Sequence, residues 1–369
     1  MTSKSLQETF NPRNFSDPHL AKALIATIEK LADKPVSIME VCGTHTVSIA
    51  RLGLKSVLPE TVKLLSGPGC PVCVTDNGDI DKVIALSKLP NVCMATFGDM
   101  LRVPGSSSSL MKEKACGSDV RVVYSPLDAL DLARQNPSKE VVFAGVGFET
   151  TAPLIAAAIM RAKKEGLANF SVFAIHKTMP HALEALLADA ELNIGGLLLP
   201  GHVSTVIGLE PYAFIASKYK IPSVVAGFDP LDILQALVMI LRQNKEGVAR
   251  IENAYIRGVA SQGNQHAQTL LSEVFQESDV LWRGLGVVPQ SGLQIRECYR
   301  SFDALARFNP QVEPTQHNKA CSCGEILQGH KLPNDCPLFD KVCTPENPLG
   351  PCMVSSEGTC AAYYRYYRS

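Results

Sequence analysis

A chain of 369 residues with 46% hydrophobic content is long enough for two or three domains, each with a core of its own. Its 35 Lys and Arg against 36 Asp and Glu exclude nucleic acid or an anionic membrane as the main partner, and 19% charged residues exclude a disordered chain. No run approaches the ~18 apolar residues of a membrane span, and Met1 to Glu8 lack a signal-peptide pattern, so a cytoplasmic location is expected.

After a polar entry from Asn11 to Pro18, apolar spacing over residues 20–31 predicts a helix, and residues 1–34 read as a helical lead-in. Short β-branched runs then alternate with helix-like stretches, the pattern of parallel βαβ units. Strands are expected at 36–41, 62–65, 92–97 and 120–124, with a helix at 80–88, in a first α/β domain over residues 35–125. Strands at 141–146, 170–175, 195–199 and 223–226 build a second, similar α/β domain over residues 126–260. Its helices are expected at 126–134, 153–165, 181–188 and 231–244. Past Val280, eight prolines break up any long helix. Six cysteines share that stretch, which reads as a small domain, residues 261–369, held by a metal centre rather than a large core.

Unusual residues gather where the strands end. Cys42-Gly-Thr-His-Thr46 and Gly67-Pro-Gly-Cys-Pro-Val-Cys73 follow the first two strands, and Thr96-Phe-Gly-Asp99 the third. Gly147-Phe-Glu-Thr-Thr151, Pro200-Gly-His-Val-Ser204 and Gly227-Phe-Asp-Pro230 follow strands of the second half. In parallel sheets ligands bind beyond the carboxyl ends of strands. Two similar parallel-sheet α/β domains facing a common cleft are therefore expected, plus a small C-terminal domain.

Twelve cysteines in a reducing compartment point to metal ligation, thiol chemistry or buried small hydrophobes rather than a disulfide framework. Cys42 with His45 suits a soft metal ligand or an activated nucleophile. Cys70 and Cys73 suit a redox pair or half a metal site, and the glycines and prolines around them specify a fixed turn. Glu149 and Thr150 offer a proton relay and hydrogen bonds, although Thr150 also suits the cap of the helix beginning near Pro153. His202 reads as functional or structural. His176 and His181, five apart, do not share a helical face, and Asp99 and Asp229 suit helix caps. Cys93, Cys116 and Cys298 lack such surroundings and read as core or incidental. The tyrosines 363, 364, 366 and 367 read as an aromatic tail packed on the C-terminal domain. Cys321, Cys323, Cys336, Cys343, Cys352 and Cys360 are too many for one cluster or one zinc, each of which takes four ligands. Only Cys321-Ser-Cys323 is a close pair, so a compact zinc ribbon fits poorly.

Together, and in this order along the chain, these motifs resemble the HypD family of [NiFe]-hydrogenase maturation factors. The resemblance implies a [4Fe–4S] cluster on Cys321, Cys336, Cys343 and Cys360, which stand with fourteen, six and sixteen residues between them. Cys323 and Cys352 would then be left as a pair for reversible disulfide chemistry. Cys42, with His45 close by, would hold the Fe(II) being built into the Fe(CN)2CO unit. Implied partners are HypC, in a stable complex that shares the iron, and HypE, a transient cyanide donor. Electrons would pass from the cluster through Cys70 and Cys73. The chain would thus be a metallocentre-assembly scaffold with redox activity. A cluster-dependent thiol–disulfide oxidoreductase accounts for the cluster and Cys70/Cys73, but not for Cys42, His45, Glu149 and His202. A structural zinc adaptor predicts tight metal and no redox response.

Overall fold

The structure, a computed structural model, describes residues 17–316 and 318–368. The expected polar entry up to residue 16, and the segment read for a signal peptide, lie outside the described residues. In chain order the strands are β1 (Val36–Glu40), β2 (Val62–Ser66), β3 (Val92–Thr96), β4 (Asp119–Val122), β5 (Glu140–Gly145), β6 (Phe170–Ala174), β7 (Gly196–Pro200), β8 (Ser223–Ala226), β9 (Ile251–Asn253), β10 (Phe275–Trp282) and β11 (Gly286–Ile295). They fall into two compact units, and the chain enters each of them twice.

Among the described residues, the first unit comprises residues 17–67 together with residues 193–263. Its sheet is parallel throughout, in the order β2-β1-β7-β8-β9, with Val36 opposite Val62 and Ile38 opposite Gly196. The helix Pro18–Leu31 begins where the Asp17 side chain accepts the N–H groups of His19 and Leu20, with Pro18 in its first turn. Its Leu24 and Ile28, one turn apart, are buried with Leu234, Leu237 and Leu241 of the helix Pro230–Glu246 and with Ile38, Leu198 and Val224 of the sheet. Burying each side chain of this size stabilises by about 1.5–3 kcal/mol.

The second unit comprises residues 68–192 and 264 onward. Its sheet, again parallel throughout, runs β4-β3-β5-β6. The helix Pro126–Gln135 is opened by a reciprocal Ser125–Asp128 cap, and the helix Ala152–Glu165 buries Ile155 and Ile159 against Val141 and Phe143. Phe275, Leu293, Ile295, Tyr299 and Phe302 complete this core from the C-terminal part of the chain. Beyond them the helices are short, Cys323–Leu327, Pro351–Val354 and Thr359–Tyr366, as the prolines dictate. Tyr363 is buried in this region and Tyr364 meets Phe339 edge-on, centroids 6.2 Å apart.

The expected division at residue 125 is corrected by the pairing. β1 and β2 hydrogen-bond with β7, not with β3 and β4, so residues 35–125 supply strands to both sheets. Alternation of strand and helix reveals that strands are present without revealing their neighbours. The antiparallel hairpin β10–β11, with Phe275 opposite Ile295 and Trp282 opposite Gly286, was not expected either. Pro289 lies within β11, in a two-stranded ribbon where a missing N–H is tolerated. Among the described residues no helix is long and apolar enough to cross a membrane.

Candidate functional site

In the first unit the chain leaves β1 for β2 on one side and β7 for β8 on the other. The carboxyl ends of β1 and β7 are therefore the switch point at which parallel sheets open a crevice. Cys42 follows β1 there, and Gly201 and His202 follow β7. Cys42 is the N-cap of the helix Gly43–Arg51, and its own N–H donates to Glu40 Oε2 at 3.1 Å. The other oxygen of Glu40 accepts the Thr46 hydroxyl at 2.5 Å. Burial raises the Glu40 carboxyl to about 7 against the lowering pull of those bonds. Gly67 packs beneath: a Cβ there would stand 2.8 Å from Met39 Sδ and 2.9 Å from Val41 Cγ1.

His45 is fully buried, and its Nε2 lies 2.9 Å from the Gly227 carbonyl. A carbonyl only accepts, so Nε2 carries the proton and Nδ1 keeps its lone pair. That Nδ1 has no partner among the described residues, and burial pushes the imidazole down to about 4. His45 is thus a neutral ring with a free acceptor nitrogen. Phe228 lies between the histidines in the contact chain, its centroid 4.8 Å from that of His45 and 3.9 Å from that of exposed His202. Tyr255 meets Phe228 edge-on at 6.0 Å, and Arg257 lies over the Tyr255 ring while pairing with fully buried Asp232.

Glu40, Phe228 and the Asp232–Arg257 pair were not singled out from the sequence. Glu40 had a signal, a lone carboxylate in an otherwise apolar strand end. Phe228 meets His45, and Arg257 pairs with Asp232, each a neighbour distant in sequence. Asp229, read as a helix cap, does stand at the N-cap of Pro230–Glu246.

The second unit has its switch point between β3 and β5, and Glu149 follows β5. Its Oε1 accepts the Met179 N–H at 2.8 Å at the start of the helix Met179–Leu187, while buried Oε2 has no partner among the described residues. Burial raises this carboxyl to about 7, opposed by the N–H groups of Glu149 itself and Met179. The expected Thr150 cap is corrected: Thr151 is the N-cap of Ala152–Glu165, its hydroxyl turned to the Phe148 carbonyl at 3.3 Å, and Thr150 is exposed. The Gly147-Phe148 turn brings Thr151, not Thr150, over that carbonyl. His176 is buried against Phe275, and burial lowers it to about 3. Asp99 is not a helix cap, since Phe97 holds that place; Asp99 accepts from the hydroxyls of Ser355 and Ser356 at 3.1 and 3.3 Å. Cys93 is buried, whereas Cys116 and Cys298 are exposed.

Cys70 and Cys73 are joined as a disulfide, Cα atoms 5.2 Å apart, across the start of the short helix Pro71–Val74. Cys323 Sγ and Cys352 Sγ lie 2.7 Å apart, beyond an S–S bond of about 2.05 Å. Of the remaining C-terminal thiols, Cys321 is raised by its hydrogen bond with Cys323, and Cys343 is raised by burial and by Cys321 and Cys336.

A family model for HypD, described as the hydrogenase formation hypA family, matches residues 19–367. The hydrogenase maturation factor HypD of Rhodobacter capsulatus is 50% identical over 364 residues, covering 95% of this chain and 97% of that protein. The chain belongs to the HypD family. Its Escherichia coli K12 relative of that name is 47% identical over 336 residues, 91% of this chain and 90% of the relative. A putative hydrogenase expression/formation protein of Methanocaldococcus jannaschii is 46% identical over 357 residues, 96% and 99% of the two chains. Membership of the HypD family supports a role in hydrogenase maturation.

The family resemblance implies an iron–sulfur cluster, and the donor set can be tested against it. Among the described residues no group of three or more His, Cys, Asp or Glu side chains is closed into a metal-binding arrangement. The donor chemistry nevertheless fits. Cys336 and Cys343 are buried, Cys321 and Cys360 partly so, and Cys343 Sγ accepts the Leu349 N–H at 3.4 Å. Thiols raised by burial and by neighbouring thiols, as Cys321 and Cys343 are, are stabilised as thiolates by a bound cation, and N–H bonds to sulfur tune such clusters.

Proposed function

We propose that the chain is a redox-active scaffold on which the Fe(CN)2CO unit of [NiFe]-hydrogenases is assembled, together with HypC. The observation that carries this reading is the placement of Cys42, His45 and His202 at the β1/β7 switch point of one sheet. The iron is cargo. Cys42 would hold it as a soft thiolate ligand, which suits low-spin Fe(II) bearing CO and cyanide. Glu40 fixes the Cys42 backbone and supplies a carboxyl able to take up the thiol proton. Neutral His45, held well below its ordinary value by burial, would accept a hydrogen bond at its open Nδ1. Glu149, whose carboxyl burial raises to about 7, would be a proton relay of the second unit.

Cys321, Cys336, Cys343 and Cys360 would hold a [4Fe–4S] cluster, which when bound supplies single electrons. Cys323/Cys352 and Cys70/Cys73 are the thiol pairs through which reducing equivalents reach the site. HypC would share the iron in a stable complex, and HypE would dock transiently to deliver cyanide.

The test is an infrared spectrum of the protein co-purified with HypC without oxygen. Metal-cyanide and metal-carbonyl bands, absent from a Cys42→Ala variant that keeps its fold and visible absorption, are the expected result. A cluster-containing protein with no such bands, from cells that mature hydrogenase, favours the thiol–disulfide oxidoreductase, which the Cys70–Cys73 bond also suits.

A further inference from the structure

The tip of the β10–β11 hairpin, residues 283–285, stands between the two cysteine pairs of the second unit. On one side it grips the segment that leaves the Cys70–Cys73 helix. The Arg283 N–H donates to the Val74 carbonyl at 2.8 Å, and its guanidinium donates to the Thr75 carbonyl at 3.0 and 3.1 Å and to Asn77 Oδ1. Trp282 forms an antiparallel bridge to Thr75. On the other side the tip abuts the residue after Cys323. A Cβ on Gly284 would stand 2.9 Å from Gly324 Cα, and one on Gly324 would stand 3.1 Å from Gly284 Cα. Gly284 also has φ +90°, which only glycine adopts readily.

The hairpin is anchored just below its tip. Trp282 is almost fully buried, donates from Nε1 to Ser291 Oγ at 2.7 Å, and stacks on Phe148 with centroids 6.0 Å apart. Opposite the tip, the helix Pro351–Val354, which carries Cys352, packs on the helix Pro71–Val74, which carries Cys73. Arg283 and two facing glycines therefore tie both cysteine pairs to one anchored element. At Gly324 it is the close approach of the two chain segments that favours glycine, and at Gly284 that approach adds to the positive φ.

We infer that the hairpin tip is a positioning bracket that sets the spacing of the two dithiols, so that a disulfide passes directly between Cys70/Cys73 and Cys323/Cys352. The inference rests on the redox reading given above. In the exchange, the Cys352 thiolate attacks a sulfur of the Cys70–Cys73 bond, forming a mixed disulfide and releasing the other sulfur as thiolate. The Cys323 thiolate then attacks the mixed bond. One S–S bond breaks and one forms, and two electrons and two protons pass from the Cys323/Cys352 pair to the Cys70/Cys73 pair.

The experiment uses the full chain, purified without oxygen, given oxidant for one disulfide per molecule. Acid quenching, alkylation and mass spectrometry then follow how that disulfide distributes between the two pairs. Two variants disturb the bracket without touching a cysteine. Gly324→Val wedges the segment after Cys323 off the tip, and Arg283→Met removes the guanidinium bonds while keeping the backbone bond to Val74. Each is expected to slow redistribution about tenfold or more, since ångström misplacements cost rate steeply. For Gly324→Val, which leaves the Arg283 charge beside the Cys323 and Cys352 thiols in place, the equilibrium of each pair with a glutathione buffer, and the visible absorption, should stay as in the unaltered chain. Redistribution at the unaltered rate in both folded variants would overturn the bracket and leave the relay standing. If the unaltered chain itself never redistributes its disulfide, the relay reading falls and the bracket falls with it.

Discussion

At the scale of single residues, the structure separates groups that announce themselves in sequence from groups that work through neighbours. Glu149 announced itself, in a Gly-Phe-Glu-Thr-Thr run at a strand end, and its environment makes a checkable pH dependence. Its carboxyl is raised from an ordinary 4.5 to about 7, so between those values the folded chain binds the proton that the unfolded chain has lost. The stability Glu149 contributes is therefore complete below pH 4.5 and is lost as pH rises through about 7. Glu149→Gln keeps an oxygen for the Met179 N–H and should flatten that part of the profile. Denaturant melts across the window should show the variant gaining on the parent by on the order of 3 kcal/mol from acid to alkaline pH. Parallel profiles would mean that Glu149 titrates normally. Gly67 makes a different test, because its neighbours and not its backbone angles demand glycine. Gly67→Ala should cost about 1–3 kcal/mol in a urea melt through overpacking against Met39 and Val41. Cys42, His45, Cys70 and Cys73 could be singled out because cysteine and histidine carry chemistry at strand ends, while Cys323 and Cys352 were paired only through the family resemblance. Phe228 and Arg257 were not singled out, since a phenyl ring and a guanidinium acquire meaning here from partners such as His45 and Asp232, far away in sequence. Glu40, by contrast, did carry a signal as a lone carboxylate at an apolar strand end.

At the scale of elements, local pattern carried far. The strands expected at 36–41, 62–65, 170–175 and 223–226 form within one or two residues, because β-branched apolar runs bounded by turn residues have few alternatives. The helix expected over 20–31 begins two residues earlier, at Pro18, where Asp17 caps it. The hairpin β10–β11 was missed because its strands carry Glu277, Asp279, Gln290 and Pro289 on exposed faces, leaving too little apolar alternation to read. The helix Pro18–Leu31 supplies the prediction at this scale. Ile28 is fully buried against Pro230–Glu246, two elements far apart in sequence yet in one core. Ile28→Ala removes that contact and leaves a cavity, for a loss of about 2–5 kcal/mol in global stability. A loss well under 1 kcal/mol would mean that the first helix frays independently of the sheet.

At the scale of the whole molecule, the order β2-β1-β7-β8-β9 in one sheet and β4-β3-β5-β6 in the other is the same pattern twice. In both, two consecutive strands run outward to one side and the next strands run outward to the other, so each sheet has one switch point. That repeat agrees with two similar α/β halves, yet the halves interleave along the chain, and no local signal marks an interruption of this kind. The whole of β3 to β6 is inserted between β2 and β7. It follows that residues 35–125 cannot make a folding unit. Such a fragment holds β1 and β2 without β7, and β3 and β4 without β5, so each sheet lacks the partner on the inner side of its switch point. The apolar faces of Ile38 and Met94, fully buried in the intact chain, would have nothing to cover them. Expressed alone, the fragment should show no cooperative unfolding transition, and its backbone amides should exchange without protection. Slow exchange at Ile38 or Met94 in that fragment would contradict the interleaved arrangement and bring back a boundary near residue 125.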